Sequence, residues 1–98
     1  MEKGIYFMDH KQRIALSNIM IQLYQKPEMI EEQWHIVSPM LTELIDTTPQ
    51  GFEGITTMIN KHFTNAAKFS DIKIQKFELE SGLIKLNMYF QKLNASKR

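Results

Sequence analysis

Residues 76–90, KFELESGLIKLNMYF, decide the fold class, because their apolar positions satisfy two periods at once. A strand repeats its faces every two residues and a helix every 3.6, so one segment cannot obey both. By threes and fours, Leu79, Leu83, Leu86, Phe90 and Leu93 make a helical stripe stepping four, three, four, three. That stripe leaves Ile84 and Met88 on the far side and puts Gly82 in a helix interior, where glycine costs about 1 kcal/mol relative to alanine. By twos, Ser81-Gly82 is a two-residue turn whose glycine tolerates positive φ. Pairing then sets Leu79 opposite Ile84, Phe77 opposite Leu86, and Glu78 opposite Lys85. Apolar pairs share one face and the opposite charges share the other, as cross-strand energetics favour. The hairpin also accounts for IKIQ, residues 72–75, which the helical stripe leaves unexplained. The expected fold is therefore α+β with a C-terminal β-hairpin, and an all-α four-helix bundle is the alternative.

Upstream of that segment the pattern is helical. Asp9 or His10 opens a first helix that stops before Pro27, with Leu16, Ile19, Met20 and Leu23 on its apolar side. Ile14, Ile21 and Tyr24 widen that stripe and predict burial on more than one side. Ile30, Trp34, Val37, Leu41 and Leu44 then step by four, three, four and three straight through Pro39. A broken helix loses phase at the break, so this spacing predicts one helix kinked at Ser38-Pro39. Thr48 followed by Pro49 reads as the cap and first position of a third helix, whose stripe is Phe52, Ile55, Ile59, Phe63 and Ala66. Three helices on short connections pack as antiparallel neighbours, a fourth being the alternative reading of residues 72–93. KGIYFM near the N-terminus supplies a strand to lie beside the hairpin, since two strands alone are marginal.

Strand, helices, then hairpin resembles in outline the element order of a winged helix. The resemblance stops at order. The segment in the place of a recognition helix, PQGFEGITTMINKHF, offers no arginine and almost no charge in its first half.

The chain has 98 residues, enough for one domain spanning 1–98 with a single core. It has no cysteine, which removes disulfides, thiolate metal sites and cysteine nucleophiles together. No segment is apolar enough for a signal peptide or a membrane span, so the expected location is cytoplasmic. Lysine far exceeds arginine, and Ile, Asn and Met are frequent, a codon signature that points to a bacterial or phage source. Residues 1–60 hold four basic and eight acidic side chains, a net of −4, whereas residues 61–98 hold eight and three, a net of +5. The split is either a directional surface field or a solvated surface sorted without purpose.

The chemistry-bearing residues form no catalytic constellation. Glu32 and His35 have the Glu-x-x-His spacing of carboxylate-bridged di-metal bundles, but the second such pair is missing. Glu31 with His35 supplies two ligands, too few for a metal site. Asp9-His10 reads as a helix cap beside an exposed histidine. Ser17, Ser38, Ser70 and Ser81 lie in no nucleophile elbow, and no glycine-rich loop is present to hold a phosphate. The expectation is a non-enzymatic protein without metal or cofactor.

Two binding functions remain. The first is a small protein-binding regulator: an inhibitor, an immunity- or antitoxin-like factor, or a phage-encoded modulator. In the hairpin register Ile72, Ile74 and Tyr89 point away from the helices, with Ile74 opposite Tyr89. Lys73, Lys76, Lys85 and Glu78 surround them, giving an apolar anchor in a charged rim that would meet another protein or a second copy of the chain. The alternative is a nucleic-acid-binding regulator using the basic C-terminal half. Against it stand the near-neutral total charge and the scarcity of arginine, present only at Arg13 and Arg98.

Overall fold

The computed structural model describes residues 9–96. Its elements are four helices, α1 (His10–Gln25), α2 (Ile30–Asp46), α3 (Glu53–Lys68) and α4 (Ile72–Ser96), with a 3₁₀ turn at Pro27–Met29. Among the described residues there is no strand, so the α+β expectation and its β-hairpin give way to the four-helix bundle. The element order likened to a winged helix falls with the hairpin. The strand expected at KGIYFM lies outside the described residues.

Each helix boundary has a local cause. Asp9 caps α1 through a capping box: its carboxylate accepts from the Gln12 N–H at 2.8 Å, and the Gln12 side chain accepts from the Asp9 N–H at 2.8 Å. α2 runs unbroken through Pro39, which is exposed. The carbonyl its ring deprives of an intrahelical partner belongs to His35, itself an exposed residue. Thr48 does not open α3. Its hydroxyl donates back to the Leu44 carbonyl at 2.7 Å, and Thr47 does the same to Glu43 at 2.8 Å, so both close α2. The chain then turns at Gly51, whose φ of +98° suits glycine, and α3 begins at Glu53.

Consecutive helices run antiparallel. Gln12 at the start of α1 reaches Glu43 near the end of α2 at 3.4 Å. Gln75 in the first turn of α4 donates to the carbonyls of Ala66, in the last turn of α3, and of Phe69, which caps it, at 3.3 and 2.6 Å. Arg13 of α1 meets Asn94 near the end of α4 at 3.2 Å, so α4 lies between α1 and α3 and closes the bundle. The core holds Leu16, Met20, Leu23, Val37, Leu41, Leu44, Ile59, Phe63, Leu79 and Leu86. Each leucine buried there adds roughly 1.5–3 kcal/mol to the helix–helix contacts. Trp34 and Phe52 pack against this core only partly buried, and Ile14 and Ile21 are exposed rather than buried on a second side.

Three contacts explain why residues 72–96 form a helix. Asp71 caps it, one carboxylate oxygen accepting from the N–H groups of Lys73 at 2.8 Å and Ile74 at 3.3 Å. Gln75, Leu79, Gly82, Leu86, Tyr89 and Leu93 step four, three, four, three, four and are all buried, a single face against the other helices. Gly82 is the point of closest approach and not a turn. A Cβ there would sit 2.8 Å from Cζ of Phe63 on α3. The missing side chain lets the two helices close on the ring, and that packing offsets glycine's poor helix propensity.

Candidate functional site

The groups with catalytic potential are scattered. Glu32 and His35 are exposed, and His35 Nδ1 lies 3.1 Å from the carbonyl of Glu32 in its own helix. Among the described residues no three His, Asp or Glu side chains converge as metal ligands. One pair was invisible to local spacing: His62 Nδ1 meets Glu78 Oε1 at 2.8 Å, bracing α3 against α4. Sixteen residues separate them in sequence, and only the antiparallel α3–α4 hairpin brings them together. Among the described residues His62 Nε2 is buried without a hydrogen-bond partner, and none of them completes a proton relay there.

The grooves between helices are shallow and open. One of about 270 Å³ lies between α1 and the start of α2, lined by Ile19, Leu23 and Met29. Another of about 240 Å³ lies between α1 and α4, lined by Arg13, Ser17, Phe90 and Asn94. Arg13 is committed there, with its guanidinium 5.6 Å from the Phe90 ring centroid and bonded to Asn94. It is not free to read a base edge.

The residues expected to form an apolar patch are divided. Ile72 and Ile74 are exposed, as are Lys73 and Lys76, while Lys85 is half-buried and Glu78 is held by His62. Tyr89 is only 2% exposed. It points into the core, its ring edge-on to Phe52 at 5.9 Å between centroids. Burial pushes its phenol above the ordinary value of 10, against the pull of the Thr48 hydroxyl and the Arg13 charge. The helix places Ile74 and Tyr89 about 22 Å apart along one axis, so the outer pair of the hairpin register does not exist.

A different apolar surface takes its place. On the outer face of α4, Ile74, Phe77, Ile84 and Met88 are 40, 63, 54 and 45% exposed. With Ser81 between them they step three, four, three, four, a second heptad seam interleaved with the buried one. α4 is therefore apolar on two sides, one against the bundle and one facing outward. The signal lay in the sequence: Ile84 and Met88 fell on the wrong side of the helical stripe and counted against it. They belong to a separate surface.

The lysines of α4 flank this seam. At 100° per residue Lys73 and Lys76 lie towards α1, and Lys85 and Lys92 towards α3. Lys76 is also engaged, its Nζ 5.2 Å from the Tyr24 ring centroid. No family model, curated protein or solved structure matches this chain.

Proposed function

We propose that this chain is a non-enzymatic interaction module that presents the outer face of α4 to an amphipathic helix of its partner. One observation carries the reading: a regular 3-4 row of large apolar side chains, Ile74, Phe77, Ile84 and Met88, stands exposed on a helix already ordered by its other face. Large exposed apolar patches mark contact surfaces in soluble proteins, and this spacing matches the a and d positions of a helical seam. The helix needs no folding on binding, which removes an ordering cost that a disordered segment would carry. A cytoplasmic setting belongs to the same proposal; no described helix is long and apolar enough to cross a membrane.

The nucleic-acid reading keeps one support, because the lysines at 61, 68, 73, 76, 85 and 92 all remain on α3 and α4. The four on α4 are divided between both flanks of an apolar row, which weakens it, since phosphate tracking calls for a continuous basic stripe. Methyl-labelled protein titrated with a designed heptad peptide separates the two readings. The peptide carries Ile and Leu at its a and d positions and charges opposite to those of α4 at e and g. The expected result is shifts at Ile74, Ile84 and Met88. Silence with the peptide, together with shifts around the lysines on adding duplex DNA or RNA at low salt, would replace this reading with the nucleic-acid one.

A further inference from the structure

We infer that the partner helix is α4 of a second copy, packed parallel and in register. This rests on the outer face of α4 being a helix-binding surface, and it adds the identity and orientation of the occupant. The argument comes from the charges beside the seam. Taking Ile74, Ser81 and Met88 as a positions and Phe77, Ile84 and Gln91 as d positions, the g positions are Lys73, Glu80 and Asn87. The e positions are then Glu78, Lys85 and Lys92. In a parallel two-stranded seam each g residue meets the e residue five positions later on the partner. Glu80 therefore meets the partner copy's Lys85, and Lys73 falls beside its Glu78, which His62 already holds within its own chain. Both contacts pair opposite charges, and the two-fold axis repeats them on the other side.

The third contact, Asn87 with the partner copy's Lys92, is neutral, so no like charges meet. A seam made for an unrelated helix has no reason to be self-complementary. The antiparallel arrangement fits less well. With Ser81 set against Ile84 of the other copy, Glu78 faces Lys85 and Asp71 faces Lys92, while Glu80 and Lys73 face only asparagines. The carboxylates of Glu78 and Asp71 are already engaged within their own chain, by His62 and by the first N–H groups of α4. Within one chain Glu80 and Lys85 are five residues apart, so they are not neighbours on their own helix. Their signs are free to serve a contact between copies. Ser81 at the centre gives each copy one small polar residue facing its counterpart, a device that fixes register at a cost in affinity.

The seam from Ile74 to Ala95 is about 31 Å long. A contact confined to one helix face belongs to the weak, transient class of interfaces. Sedimentation velocity on the full chain, up to about 1 mM, should show monomer converting to dimer. Ile84→Lys should abolish that conversion while keeping the helical circular dichroism and cooperative melt. Glu80→Lys and Lys85→Glu should each weaken association about tenfold, and the double reversal E80K/K85E should restore it. The chain has no cysteine, so Ser81→Cys reports orientation directly, and oxidation should give a covalent dimer.

Monomer at every concentration would overturn the inference, and so would a dimer that survives Ile84→Lys. Weakening by Lys85→Glu alone, with no rescue and no cross-link at position 81, would overturn the parallel arrangement. The heptad-peptide titration separates failures: a monomeric chain that still binds the peptide keeps the helix-docking reading and loses only the second copy.

Discussion

Replacing Gly82 by alanine sets two effects of similar size against each other. In an exposed helix interior Gly→Ala stabilises by about 1 kcal/mol, through propensity and the reduced freedom of the unfolded chain. At Gly82 the new Cβ would lie 2.8, 3.0 and 3.1 Å from three ring carbons of Phe63. Carbon atoms in ordinary contact sit about 3.5–4.0 Å apart, so ring and helix must separate by more than half an ångström. Phe63 is fully buried in the core, so its ring must displace packed neighbours to move. Overpacking of this kind costs about 1–3 kcal/mol, which outweighs the propensity gain. The expected net loss is about 1 kcal/mol, or a fall in Tm of about 4–8 °C for a domain of this size. Thermal and urea melts followed by circular dichroism read it. The decisive comparison repeats Gly82→Ala in a Phe63→Leu background, where the space beyond the Cβ is open. There the substitution should become stabilising, giving a coupling of about 2 kcal/mol between the two sites. A rise in Tm in the parent would refute the close approach. An equal loss in both backgrounds would refute Phe63 as the obstacle.

Pro39 is exposed inside an unbroken helix, so Pro39→Ala should restore a hydrogen bond to His35 and raise stability by about 1–3 kcal/mol in a urea melt; a lower midpoint would mean the proline supports a bend the packing needs. Tyr89 has its folded-state phenol pKa raised by burial, so its contribution is fully present below pH 10 and is lost as pH climbs through the raised value. The stability of the parent should therefore fall relative to Tyr89→Phe above pH 10, and parallel curves would place the phenol in solvent.

The helical phases of α1, α2 and α3 were legible because the buried stripe of each keeps a regular three-four step, although the start of α3 was misplaced at Thr48, which closes α2. Asp9 announces α1, and the four-three spacing from Ile30 to Leu44 outvotes Pro39. α4 was misread because it has two stripes. Phe77, Ile84 and Met88 on the outer face fill the gaps between Leu79, Leu86 and Tyr89 on the inner one. A helix apolar on two sides loses its 3.6-residue contrast, and short windows of it then imitate alternation. The Ser-Gly dipeptide completed the imitation, since nothing local distinguishes a turn glycine from one that admits a neighbouring ring. Ile74 was correctly set on an outward surface and Tyr89 was not, because the hairpin register paired residues that the helix separates. The His62–Glu78 contact and the role of Gln75 depend on where α3 and α4 pass one another, which no local pattern records.

Gln75 carries one more consequence. Helices usually finish with their own residues or with water, whereas two carbonyls at the end of α3, those of Ala66 and the capping Phe69, are satisfied by an amide that belongs to α4 and is itself buried. The end of one helix is thus written into the beginning of the next. Separating the two strands both the amide and the carbonyls at once, so partial opening of this corner gains little. The α3–α4 pair is expected to behave as one cooperative unit that enters and leaves the folded state together. Its contacts are local in sequence, which favours early formation. Hydrogen exchange under native conditions should return a common opening free energy for the two helices, and distinct values would show that each stands alone.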